Sequence, residues 1–253
     1  PYLGVRDDAT WDYLGATQDD RVHNLIEYIR GKEDGFTGVT PMLIRSRIIE
    51  DDVWKLGDIV QSTPVAVSKP PENYHVIYSD PSYQDYYDAY KDRETVVYVG
   101  ANDGMLHAFT SWQYSAVAKQ YTKPSGAPPA ERIGDEIWAY IPQSLLPHLK
   151  WLPYWEYTHT YYVDLKPKVF DARIFPDNTH YSDDDAEDDW GTVMLVGLNM
   201  GGKQICVEDW FDDGTGTTYY ETRTFHPSYA AIDITEPRDP KLLWERTYEN
   251  LGM

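Results

Sequence analysis

Two six-residue turns constrain this chain more than any other feature. Val99-Gly100-Ala101-Asn102-Asp103-Gly104 and Val196-Gly197-Leu198-Asn199-Met200-Gly201 share the pattern V-G-x-N-x-G, and their glycines Gly100 and Gly197 lie 97 positions apart. Each follows a β-branched run (VVYV, VMLV), and Asn, Asp and Gly tolerate the left-handed backbone of a tight antiparallel hairpin. The flanking segments match in the same order. TPVAVS precedes the first hairpin, and MLHAF and EIWAYIP (Glu136 to Pro142) follow its turn. KPKVFDARI (Lys166 to Ile174) precedes the second, followed by YAAIDI (Tyr229 to Ile234) and KLLWERTY (Lys241 to Tyr248), with Trp244 answering Trp138.

A four-stranded up-and-down unit repeated in sequence, with an aromatic on its last strand, is the pattern of propeller blades. The expected fold is all-β: a β-propeller with about two four-stranded blades in an incomplete ring, one N-terminal helix and long loop insertions. Two unrelated hairpins in a β-sandwich would leave the matched order of four segments without a cause. The expected division is an acidic N-terminal segment with helix and linker (1–53) and a propeller portion (54–253). The latter divides into a blade (54–142), a connector (143–160) and a second blade (161–250).

The single helix is expected after Thr17-Gln18-Asp19-Asp20, which has the form of a capping box, with Val22, Leu25, Ile26 and Ile29 at helical spacing and Gly31 as C-cap. The linker carries Arg45 and Arg47, expected to pair with carboxylates. HVIY (His75 to Tyr78) reads as a strand, and the Tyr/Asp-rich stretch after it as a surface loop or short helix. Insertions at Ser111–Gly134, Pro176–Asp189 and Val207–Ser228 read as loops at blade ends, where propellers present recognition surfaces.

The formal net charge is −20, from 42 acidic and 22 basic residues. Such a surface repels phosphate backbones and anionic headgroups, so nucleic-acid partners are disfavoured, while divalent cations and basic partners are favoured. No apolar run approaches the length of a membrane span. The one cysteine, Cys206, sits among apolar residues and reads as a small buried hydrophobe.

The acidic run Asp183-Asp184-Asp185-Ala186-Glu187-Asp188-Asp189 places Asp183, Asp185, Glu187 and Asp189 in the alternation of a calcium loop's first ligands. It lacks the turn glycine, where Asp188 stands, and the closing glutamate, where Met194 stands. Two readings follow: a solvated acidic loop, which those departures favour, or a loosely bound calcium ion that relieves the self-repulsion. Asp209, Asp212 and Asp213 ahead of Gly214-Thr215-Gly216 form a lesser version. The seven histidines show no zinc spacing. His107 reads as a satisfied histidine on a blade face, and no nucleophile with its base, Walker loop or dinucleotide fingerprint appears.

GDIVQSTPVAV, VVYVGANDGMLHAF, EIWAYIP, Tyr162-Val163-Asp164 and AIDITEPRDPKLLWE together resemble the start of the C-terminal propeller of the PilY1 family of type IV pilus assembly proteins. EYIRG resembles the helix just before that propeller, so the likeness covers roughly residues 20 to 250. It implies a non-enzymatic pilus-tip adhesin and assembly factor that primes pilus formation, affects retraction and mediates surface attachment. It implies minor pilins and a host or abiotic surface as partners, and a place at the cell surface reached through the periplasm and outer membrane. The family's calcium-holding Asp-rich loop lies in a later blade and has no matched positions here. Two blades cannot close a ring, so the remaining blades, or another chain, are expected to complete it. VGANDG-type hairpins also occur in quinoprotein dehydrogenases, which makes a quinone-dependent (PQQ-type) propeller the alternative reading. The single cysteine excludes the vicinal disulfide often found in those enzymes.

Overall fold

The structure is a computed structural model and describes residues 2–5, 9–36, 44–181, 187–212 and 215–249. The two matched segments fold as two separate four-stranded antiparallel sheets. β3 (Val65–Val67), β4 (Val96–Gly100), β5 (Leu106–Thr110) and β8 (Glu136–Tyr140) pair in the order β3-β4-β5-β8. β9 (Lys168–Phe175), β10 (Asp189–Gly197), β13 (Ser228–Asp233) and β14 (Lys241–Thr247) pair in the order β14-β13-β10-β9. These are the two expected blades, and among the described residues they do not close into a ring. They also share a defect. The ladder slips between Ala108 and Phe109, just past Trp138, and again between Ala231 and Ile232, just past Trp244. A bulge at the same place in both marks them as copies of one unit.

The sheets stack because strand parity gives each an apolar face. Val96, Tyr98, Leu106 and Ala108 of the first blade meet Met194, Val196, Ala230 and Ile232 of the second in one buried core. Burying each larger side chain contributes about 1.5–3 kcal/mol. Polar groups close the rim of this interface. Trp138 Nε1 donates to the Pro237 carbonyl at 2.8 Å, and the Tyr140 hydroxyl donates to Glu245 at 2.6 Å. Arg238 reaches back from the second blade to Glu94 at 2.9 Å and Glu131 at 2.8 Å. Arg93 donates across the interface to Thr192 Oγ1 at 2.9 Å.

Helix α1 (Gln18–Ile29) has the expected capping box. Thr17 Oγ1 accepts from the Asp20 amide at 3.1 Å, and the Asp20 carboxylate accepts from the Thr17 amide at 3.2 Å. Gly31, at φ +98°, takes the left-handed position just past the end. Arg47 pairs with Glu33 at 2.7 Å as expected, whereas Arg45 lies over the Tyr157 ring at 4.0 Å. The short strands β1 (Ile48–Ile49) and β2 (Asp52–Val53) fold the linker back on itself. In the connector, a 3-10 helix (Gln143–Trp151) buries Leu145 and Leu149.

Three expectations need correction. HVIY is not a strand but falls within the short helix α2 (Tyr74–Ile77) and its C-cap. A four-residue apolar run carries no decisive period; here Asn73 turns left-handed and Tyr74 packs on Tyr83 at 5.2 Å. Helix α1 is not the single helix of note, because α3 (Pro81–Tyr90) follows α2, capped by Asp80 and started by Pro81. Cys206 is exposed rather than buried. It lies on β11 (Ile205–Asp212), where Val207 and Phe211 take the inward positions and parity sends Cys206 out. β11 pairs with β12 (Thr218–Phe225) to make a two-stranded ribbon within the last insertion. β6 (Gln113–Ser115) and β7 (Gln120–Thr122) form a smaller hairpin in the Ser111–Gly134 insertion.

Candidate functional site

Both V-G-x-N-x-G turns press against the segment that passes from one blade to the next. The Tyr162 amide donates to Asn102 Oδ1 at 3.0 Å and the Val163 amide to the Ala101 carbonyl at 3.4 Å. The Asp164 carboxylate, almost fully buried, accepts from the amides of Asn199 and Met200 at 2.7 Å and of Gly201 at 3.2 Å. The approach is so close that a Cβ on Gly100 would strike the Val163 carbonyl oxygen, and one on Gly201 the Tyr162 oxygen. Glycine is required at both places for that reason. The first blade repeats the device more loosely. Asp58 accepts from Asn102 Nδ2 and from His159 Nε2, each at 2.9 Å, with its side chain half exposed.

From the first turn the geometry leads to His107. Asp103 Oδ2 accepts from the Gly57 amide at 2.7 Å and lies 3.0 Å from His107 Nε2, while Glu136 Oε1 lies 2.5 Å from Nδ1. Burial alone would lower the imidazolium's pKa, but hydrogen bonds and charge from Asp103 and Glu136 outweigh it and raise the value to about 9. At neutral pH both ring nitrogens therefore donate to carboxylates. Neither keeps a lone pair to accept a proton or hold a metal. The blade-face reading of His107 holds, and the group acts as a fixed charge.

His107 and Phe109 form the floor of a groove of about 660 Å³ between the first blade and α1. Leu25, Ile26, Ile29 and Leu149 supply apolar wall, and Arg30 and Lys55 also line it. Apolar walls with a few fixed charges suit binding of an amphipathic surface or segment.

A second buried cluster joins the first blade's insertion to the second blade. The Tyr83 hydroxyl donates to Asp171 Oδ2 at 2.5 Å, and the hydroxyls of Tyr86 and Thr192 lie 2.6 Å apart. Burial, with the Asp171 carboxylate adding to it, pushes the Tyr83 phenol well above its usual pKa. Tyr83, Tyr86 and Tyr90 follow helical spacing, so the signal for this face stood in the sequence. Asp171 and Asp164 carried no such signal, because their partners come from segments distant in sequence.

Of the expected calcium ligands, Asp183 and Asp185 lie outside the described residues. Glu187 pairs with Arg173 at 2.7 Å. Asp189 is buried at the start of β10, where Oδ2 accepts from the His180 amide at 2.8 Å and Oδ1 has no hydrogen-bond partner. In the lesser acidic set, Asp209 is buried on β11 and Asp213 lies outside the described residues. Among the described residues no three His, Cys, Asp or Glu side chains gather to hold a metal, and no helix is long and apolar enough to cross a membrane.

Comparison with known proteins places this geometry in context. A family model of the PilY1 beta-propeller domain matches residues 56–215, which span the first blade, the connector and the second blade as far as the ribbon. A type IV pilus biogenesis factor PilY1 homolog of Xylella fastidiosa is 28% identical over 234 residues, covering 90% of this chain and 14% of the relative. The type IV pilus biogenesis factor PilY1 of Pseudomonas aeruginosa is 29% identical over 198 residues, covering 75% of this chain and 12% of the relative. The chain thus spans about one seventh of the length of these relatives. The crystal structure of the Pseudomonas aeruginosa PilY1 C-terminal domain aligns with 72% of this chain and 25% of its own, at 26% identity and a TM-score of 0.38.

Proposed function

The chain belongs to the PilY1 beta-propeller domain family, and from that premise we propose that it serves in type IV pilus biogenesis as part of a tip-associated assembly factor and adhesin. In this reading it works by binding: it promotes pilus formation with minor pilins as partners, modulates retraction, and contributes to attachment at a host or abiotic surface. The protein is carried to the cell surface through the periplasm and outer membrane. The observation that supports this most is the family match, which runs across both turns and the Tyr162–Asp164 passage that they grip. The protonated His107 between two carboxylates favours a recognition surface over acid–base chemistry at that groove.

The test exchanges this segment for the aligned one in Pseudomonas aeruginosa PilY1 and scores surface pili in a strain lacking its own factor. Restored pili are expected. A chimera that is folded and exported yet yields no pili overturns the assembly role. Attachment measured with retraction blocked separates adhesion from motility; unchanged attachment on exchange for an unrelated propeller removes the adhesin part.

A second reading adds calcium, on the strength of the buried and unpaired Asp189 Oδ1 at the end of the acidic run. Calorimetry on the wild type and on an Asp183→Ala/Asp185→Ala/Asp189→Ala variant tests it. Heat of binding in the first and none in the second is expected; the same null in both dismisses the ion.

A further inference from the structure

The β11–β12 ribbon lies outside both blades and ends in an open edge. Its strands pair along eight residues, and among the described residues β12 hydrogen-bonds as a strand to β11 alone. Its inner side is anchored: Phe211 is fully buried, Tyr2 meets it edge-on at 5.6 Å, and Arg223 lies over it at 4.2 Å. The outer side exposes Trp210 and Tyr220, packed edge to face at 5.6 Å. β12 reads TYYETRTF, with no proline, glycine or lysine, and its two charges, Glu221 and Arg223, pair with each other at 2.5 Å and leave little net charge to blunt the edge. Protected edges commonly carry such residues, and unprotected ones pair with another strand.

We propose that the occupant of this edge is β12 of a second copy, paired antiparallel about Thr222 to give a continuous β11-β12-β12-β11 sheet across a two-fold axis. The strand's own sequence selects this register. Directly opposed residues in an antiparallel pair must have matching orientation, so a strand paired with its own copy can be centred only on a residue. Centring on Glu221 opposes two glutamates, and centring on Arg223 opposes two arginines. Centring on Thr222 sets Glu221 against Arg223 of the second copy, Tyr220 against Thr224 and Tyr219 against Phe225, each twice over by symmetry. Opposite charges and aromatic pairs across strands stabilise a sheet, and like charges weaken it. The ribbon's other edge lacks this property: β11 reads ICVEDWFD, and centring it on Glu208 or Asp209 opposes acid to acid.

The test is sedimentation equilibrium of the chain over a concentration series at physiological salt, since a net charge of −20 per copy opposes any association at low salt. A monomer–dimer equilibrium is expected. Glu221→Arg alone and Arg223→Glu alone should each weaken the dimer at least about tenfold, because each opposes like charges twice. The double variant Glu221→Arg/Arg223→Glu should recover the wild-type constant. A circular dichroism spectrum matching the wild type shows that the single variants fold, since each also loses the Glu221–Arg223 pair within its own chain and is expected to lower the urea midpoint somewhat. A chain that stays monomeric throughout overturns the proposal. So does a dimer indifferent to the single swaps, which would place the contact elsewhere, or a failure of the double swap to restore it.

Discussion

Corresponding faces of the two blades meet different surroundings. Aligning Gly100 with Gly197 sets Val99, His107 and Phe109 of the first blade beside Val196, Ala230 and Ile232 of the second. In the second blade that face is apolar at its centre, carries Thr192 and Asp171 at one end, and packs on the first blade's sheet. In the first blade the same face looks onto α1 across a groove, and a buried imidazolium stands where the second has alanine. The opposite faces differ in the same manner. Trp138 is half-buried between the blades, whereas Trp244, opposite the equivalent alanine, is 39% exposed. One strand pattern therefore builds both sheets, and what each face carries follows from what it touches.

The sharpest way to break the comparison is at the two aspartates beside the turns. Asp164→Ala removes a buried carboxylate from three amides, that of Gly201 buried and those of Asn199 and Met200 partly so, and should lower stability by roughly 4 kcal/mol, while Asp58→Ala, half exposed, should cost under about 1. Urea unfolding of both variants measures the gap, and equal losses would deny that the turns are gripped differently. Next come the tryptophans. Trp138→Ala should cost about 3 kcal/mol and Trp244→Ala under about 1, read in the same way.

A pH-dependent effect, no larger than that of Trp138, belongs to His107. Its folded pKa of about 9 lies above the ordinary value of 6.5, so its stabilisation is complete below pH 6.5 and is lost as pH rises through 9. Over that window the chain should lose up to about 3 kcal/mol. His107→Ala, which copies the second blade's Ala230, should flatten the loss. A variant with the wild-type pH slope would put the titration elsewhere.

Much of this architecture was legible because strand period and turn chemistry are local. The V-G-x-N-x-G turns, the matched strands and the Trp138/Trp244 correspondence all follow from residues a few positions apart. The misreadings have equally physical causes. His75 to Tyr78 was too short to declare a period, so packing on Tyr83 decided its form. Cys206 has apolar neighbours in sequence, yet strand parity turned it outward. The tyrosine face of α3 was periodic, but its target, Asp171, lies on a strand of the other blade. Asp164 was visible as part of an entry segment, while its hold on three amides depends on the fold.

The claim beneath all of these is that the two sheets lie face to face, and the Tyr140–Glu245 hydrogen bond between β8 and β14 tests it most directly. A double-mutant cycle with Tyr140→Phe and Glu245→Ala, followed by urea unfolding, isolates that contact from the other bonds Glu245 makes. A coupling energy of about 1 kcal/mol or more is predicted. Additivity within about 0.3 kcal/mol would contradict the stacked blades.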